Sequence, residues 1–162
     1  MRDCIANSSC SKELDPNSKQ CQIIAYPDHK LTKGMMSSHA LKVVEKLEAG
    51  GFQAFIVGGS IRDLLLNRVP KDFDVATNAT PKQIKSLFER ARIIGRRFQI
   101  VHVKLQKQII EVTTFRSNNN DSLNEQRLRT KNGMLTRDNV FGSLTDDSIR
   151  RDLSINALYF NP

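Results

Sequence analysis

Tryptophan is absent from this chain of 162 residues, aromatic residues make up only 6% of it, and there are three cysteines. With so few aromatics there is no evident platform for stacking bases, so any nucleic-acid contact is expected to track phosphates rather than read sequence. Cys4, Cys10 and Cys21 all lie in the first segment. Their odd number cannot close fully into disulfides and their spacing fits no zinc motif, so they read as reduced and incidental. No apolar run approaches the roughly 20 residues that a membrane helix needs. Met1 to Lys12 lacks the apolar stretch and cleavage site of an export signal, and Asp3 and Glu13 do not suit an acid-poor transit peptide. The expectation is a cytoplasmic protein with no membrane partner; nothing in the sequence sets its oligomeric state.

Hydrophobic residues at 39% and charged residues at 26% are those of an ordinary globular domain, and the length suits one core. The formal charge is +8 with a pI near 9.7, which favours a polyanionic partner. Acids are scarce where bases gather: between Pro81 and Gln108 stand Lys82, Lys85, Arg90, Arg92, Arg96, Arg97, Lys104 and Lys107, with Glu89 the only acid. A nucleic acid is the expected partner, against the alternative of a solvated basic surface.

Residues 1–34 are polar, aperiodic and punctuated by Pro16, Pro27 and Gly34, and read as an extended leader to a domain over 35–162. Ser37 or Ser38 can cap a helix carrying Leu41, Val44 and Leu47, stopped by Gly50-Gly51. Phe52 to Val57 reads as a buried strand, Ile61 to Leu66 as a short helix, and the segment holding Asp72 and Asp74 as the next strand. Thr80-Pro81 starts a helix with Ile84, Leu87 and Phe88 on its apolar face. Strands follow at Ile93-Ile94, Ile100 to Leu105 and Ile109 to Phe115, the last two joined by a hairpin near Gln106 to Gln108. Ser117 to Asn139 is expected to be a long loop, Asp146 to Arg150 a short helix, and Leu153 to Phe160 a final strand.

Three clusters carry chemistry. In a strand, Asp72 and Asp74 project to one face and repel each other unless something neutralises them. Magnesium suits such a pair, since it takes hard oxygen ligands and is commonly held by one or two carboxylates plus substrate phosphates; the competing reading is a solvated acidic edge. Glu111 sits amid the apolar run Ile109-Ile110-Glu111-Val112, where a carboxylate needs a compensating partner. A neighbouring strand could bring it to the aspartates, or it could pair with Arg116 or a nearby lysine. Gly58-Gly59 ahead of a helix can cradle phosphate, with Arg62 adding a charge-assisted contact. A plain tight turn and an Arg62–Asp63 ion pair are the alternatives. Arg150-Arg151-Asp152 ends a helix, where cations also suit the dipole, but so dense a cluster could clamp a triphosphate and bind a ribose hydroxyl.

Gly58-Gly59-x-x-Arg62-Asp63, Lys71-Asp72-Phe73-Asp74, Gly95-Arg96-Arg97-Phe98, Glu111 to Arg116, and Arg150-Arg151-Asp152 continuing to Leu158 together resemble the head domain of class II nucleotidyltransferases. That family holds tRNA CCA-adding enzymes and bacterial poly(A) polymerases. The likeness runs from about Met35 to Pro162, and the segments around Asp72 to Pro81, Gly95 and Asn132 to Ser143 look closest to the poly(A) polymerase branch. It implies a polymerase-beta-like α/β (α+β) head, a mixed sheet flanked by helices. By the same resemblance Asp72 and Asp74 bind Mg2+, Glu111 is an accessory carboxylate, Asp152 belongs to the active site, and Gly59, Arg62 and Arg151 contact the nucleotide; Gly58, as part of the glycine turn, and Arg116, just beyond the Glu111 strand, are further candidates for nucleotide or primer phosphate.

The expected reaction is template-independent transfer of AMP from ATP to an RNA 3′ end. The alternatives are CCA addition to tRNA and a catalytically silent RNA-binding head. Family members continue into helical neck and body domains that select the base, and this chain stops before them, so independent activity is an open expectation. A phosphohydrolase of the D-x-D type fits less well, because Ala76 stands where that pattern expects Thr or Val.

Overall fold

The computed structural model describes residues 22–96, 98–117 and 140–162. The cysteines, Arg97 and nearly all of the expected Ser117 to Asn139 loop lie outside the described residues. In chain order the elements are α1 (Ser38–Ala49), β1 (Ala54–Val57), α2 (Gly59–Leu65), β2 (Asp74–Thr77), α3 (Pro81–Leu87), β3 (Ala91–Ile94), β4 (Ile100–Leu105), β5 (Gln108–Thr114), α4 (Leu144–Ile149) and β6 (Tyr159–Phe160). The strands make one mixed sheet in the order β3-β4-β5-β2-β1-β6. β2 and β5 run parallel; every other neighbouring pair is antiparallel.

Local chemistry explains most of the element ends. Ser37 caps α1 by accepting the His39 N–H at 3.3 Å, and Gly50 closes it. Thr80 and Gln83 form a reciprocal capping box at α3, with Pro81 in the first turn where its missing N–H costs nothing. Ser143 and Asp146 do the same for α4. Gln106 and Lys107 make a two-residue turn between β4 and β5, Leu105 facing Gln108, with Gln106 in the left-handed region at φ 52°.

Because strand side chains alternate, each row across the sheet belongs to one face. Val101, Val112, Val75 and Ile56 form a row of direct partners, all fully buried with Leu47, Val43 and Ile84 from α1 and α3. The opposite face is covered only in part among the described residues. There Phe55, Val57, Ala76 and Phe115 pack with Leu144 of α4 and Tyr159 of β6.

Two expectations are corrected. The packed body begins before Met35: Leu31 is 6% exposed within the core, its N–H donates to His29 Nδ1 at 3.0 Å, and the His29 ring meets Phe160 edge-on at 5.8 Å. One buried leucine in a polar segment carries no period, so the contact is invisible locally. Leu153 to Phe160 is not a continuous strand: Ser154–Asn156 is a 3-10 turn and only Tyr159–Phe160 pairs with β1. Leu153 and Ile155, whose alternation suggested a strand, are exposed. The turn instead delivers Asn156, whose side chain accepts from Arg62 and whose carbonyl accepts from Arg151.

Leu31→Ala should cost about 2–5 kcal/mol in urea unfolding, as for other buried leucines. The equivalent change at Ile23, which is 93% exposed, should leave the midpoint unmoved.

Candidate functional site

The pairing of β2 with β5 sets Val75 beside Val112, so one residue earlier on each strand Asp74 and Glu111 come side by side on the opposite face. β4 extends the row, since His102 faces Glu111. Asp72 lies two residues ahead of β2 rather than inside a strand, yet it opens onto the same place. Asp72, Phe73, Asp74, His102, Ile109 and Glu111 line one cleft of about 360 Å³. Glu111 thus lines the same cleft as the two aspartates. Among the described residues the side chain facing it is His102, Nε2 to Oε1 at 3.3 Å, rather than Arg116 or a lysine.

The electrostatics record this crowding. The Asp74 carboxyl is pushed up to about 6, first by burial, then by the charges of Glu111 and Asp72, against a downward pull from Arg151. Asp74 is thus a carboxylate short of positive charge. Among the described residues no group of three or more His, Cys, Asp or Glu side chains is close enough to hold a metal ion unaided. Two hard oxygen donors that leave coordination positions for phosphate oxygens and water do match the chemistry of magnesium.

The glycine turn and Arg151 adjoin the carboxylates. Gly58 adopts φ +77°, which side-chain-bearing residues avoid, and a Cβ there would stand 3.6 Å from Arg151 Nη1. Gly59 opens α2 with the Arg62 guanidinium over it, 3.4 Å from where its Cβ would be. Arg62 Nε and Nη2 donate to Asp63 Oδ1 at 2.9 and 2.8 Å and Nη1 donates to Asn156 Oδ1 at 2.9 Å, so the ion pair foreseen as an alternative is formed. The Arg116 guanidinium stacks on Phe98 at 4.8 Å, while its backbone N–H donates to Asp147. Asp152 is exposed and its carboxylate accepts the Leu153 N–H at 2.8 Å.

Asp147 escaped the sequence reading. It is 4% exposed and joins three elements: Oδ1 accepts from the Arg116 N–H at 3.1 Å, and Oδ2 from Arg151 Nη2 at 3.2 Å and the Tyr159 hydroxyl at 2.6 Å. Arg150 Nη1 adds a longer contact at 3.5 Å. Arg151 is held from three sides, because its Nε also donates to Tyr159 Oη at 2.9 Å and its Nη1 to the Asn156 carbonyl at 3.1 Å. Burial and the bond to Asp147 push the Tyr159 phenol well above its usual range. The spacing of Asp147 to Arg151, four residues across the end of α4, was the available signal; its burial was not legible.

Comparison with known proteins accords with this geometry. Residues 54–162 match the family model described as the poly A polymerase head domain. The chain belongs to that family. It is 56% identical over 128 residues to poly(A) polymerase I of Haemophilus influenzae, an alignment covering 78% of this chain and 28% of that protein. It is 40% identical over 121 residues to the CCA-adding enzyme of Staphylococcus haemolyticus, covering 75% and 28%. Among solved structures, the Bacillus stearothermophilus CCA-adding enzyme in complex with CTP superposes with a TM-score of 0.61 at 31% identity, covering 78% of this chain and 28% of that one. The chain therefore spans under a third of the length of these relatives, and its fold is that of a nucleotidyltransferase head.

Two outcomes follow for this head domain. Asp147→Ala leaves Arg151 without its buried counter-charge and should cost about 3–5 kcal/mol in denaturant unfolding. Tyr159→Phe, which removes both the hydrogen bond donated to Asp147 and the one accepted from Arg151, should cost at least about 1.5–3 kcal/mol. Separately, the raised Asp74 carboxyl means that the folded state binds a proton more tightly than the unfolded chain, so Asp74 lowers stability increasingly as pH rises from about 4 to 6. Asp74→Asn should therefore melt above the parent at pH 7.5 without divalent cations, and the gap should close by pH 4.

Proposed function

We propose that this head domain carries the chemistry of template-independent adenylyl transfer, moving AMP from ATP to an RNA 3′ hydroxyl with release of pyrophosphate. The observation that carries this reading is the convergence of Asp72, Asp74 and Glu111 on one cleft beside the Gly58 turn and Arg151. Greater identity to poly(A) polymerase I, at 56% and 48% in two relatives, than to a CC-adding tRNA nucleotidyltransferase, at 39%, or a CCA-adding enzyme, at 40%, favours ATP-only transfer over CCA addition.

Each group has a task that its surroundings suit. Gly58 and Gly59 let the backbone approach the triphosphate without a side chain intervening. Arg151 presents a guanidinium already oriented by Asp147 and Tyr159, so little rotamer freedom is lost when a phosphate arrives. Asp72 and Asp74 would hold Mg2+, which when bound neutralises phosphate charge and eases loss of the 3′ hydroxyl proton. Glu111 adds a third acidic group on the hydroxyl side. Arg62 would have to exchange Asp63 or Asn156 for phosphate to touch the nucleotide. Asp152 is proposed to reach the ribose, and Arg116 the nucleotide, in the bound state.

With labelled ATP, CTP, RNA and magnesium, the purified chain should add A residues; short CCA ends would favour the CCA-adding reading, and binding without extension a silent head. Asp74→Ala should lower incorporation by roughly a thousandfold or more, the several kcal/mol of charge stabilisation at stake, with its circular dichroism unchanged. Retained incorporation by that variant would refute the assignment.

A further inference from the structure

The basic residues between Pro81 and Gln108 do not form one surface. Lys82 and Lys85 ride on α3, which packs through Ile84 onto the core face of the sheet together with α1. Arg92 and Lys104 belong to the other face. Arg92 is the direct partner of His102, which faces Glu111, and Lys104 follows His102 by two residues, so all share the side that holds the cleft. Arg90 flanks them, its carbonyl accepting the Lys104 N–H at 3.0 Å. Arg90, Arg92 and Lys104 are exposed.

From one edge of the sheet to the other, that face has a polarity. Tyr159 with Arg151, and Val57 next to the Gly58 turn, lie on β6 and β1; Asp74 and Glu111 stand at the centre on β2 and β5; His102 and Arg92 follow on β4 and β3. Arg92 is three strand spacings from Asp74, roughly 14 Å. Phosphoryl transfer needs the attacking and leaving oxygens on opposite sides of the reacting phosphorus. If the triphosphate is held on the Gly58 and Arg151 side, the attacking 3′ hydroxyl must come from the β4 and β3 side. A strand arriving there crosses Arg92 and Lys104 with its phosphates, and neither β3 nor β4 carries an acid to compete for those cations.

We infer that the open face of β3 and β4, through Arg92 and Lys104 beside His102, is the track along which the RNA strand brings its 3′ end to the carboxylates. The inference rests on the proposed transfer reaction and adds the direction of approach. It also divides the basic excess: the cations on α1 and α3 make the molecule basic but lie behind the sheet and touch no substrate.

The test compares two charge-matched double variants of the full chain. Arg92→Glu with Lys104→Glu reverses the track; Lys42→Glu with Lys85→Glu makes the same change in net charge on the α1 and α3 side. Binding of a fluorescent single-stranded RNA is followed by anisotropy across a salt series, and ATP binding with magnesium is measured separately by calorimetry. The track variant should bind RNA at least tenfold more weakly, and its salt dependence should flatten by about 0.7 in log–log slope for each phosphate that is no longer neutralised. Its ATP affinity should stay at the parental value, and the α1 and α3 variant should bind RNA within about twofold of the parent. Equal weakening in both variants, or none in the track variant, overturns the track while leaving nucleotide transfer intact. An unmodified chain that binds neither RNA nor ATP overturns the transfer reading and the track with it.

Discussion

Like-charge repulsion between Asp74 and Glu111 is the constraint around which the rest of the site is arranged. Parallel pairing of β2 with β5 forces the two carboxylates onto adjacent positions of one face, and Asp72 adds a third negative group at the mouth. Burial and these neighbours push the Asp74 carboxyl up to about 6, and Arg151 offsets only part of the cost. A domain that keeps such an arrangement carries unfavourable energy in its resting state. That energy falls when positive charge enters the cleft, which couples occupancy of the site to stability.

The sheet tolerates this because its two faces do different work. Valines and isoleucines on one face are fully buried under α1 and α3 and supply the packing. Among the described residues the other face has only a small apolar cluster beneath Leu144, and its carboxylate row lines the cleft. Asp147 links the two halves of that face. By accepting from the backbone N–H of Arg116, the side chain of Arg151 and the hydroxyl of Tyr159, it ties α4 to the end of β5 and to β6 while aiming a cation at the glycine turn. A buried carboxylate with several donors is stable where an unpaired one is not.

How much could be read in advance varied with the range of the interaction involved. The caps at Ser37, Thr80 and Gly50, the hairpin at Gln106, and the helices between them rest on contacts within a few residues, and these were legible. Glu111 was singled out because a carboxylate inside an apolar run is locally anomalous, although its partner His102 lies on another strand and could not be named. Leu31 and the Ser154–Asn156 turn were misjudged for the same reason: a lone leucine meets a core contributed by distant segments, and Asn156 bends the chain to reach Arg62 and Arg151.

By itself the sequence determined the inventory: which residues can bind metal or phosphate, where helices and strands start, and which family the linked motifs belong to, because each of these depends on residue type and short spacing. Only the tertiary structure decided which groups meet. Strand register placed Glu111 beside Asp74 and put Arg92 and Lys104 on that same face, since a shift of one residue in pairing would move every side chain of a strand to the other face, while the docking of α4 against the end of β5 and β6 buried Asp147 beside Arg151 and Tyr159.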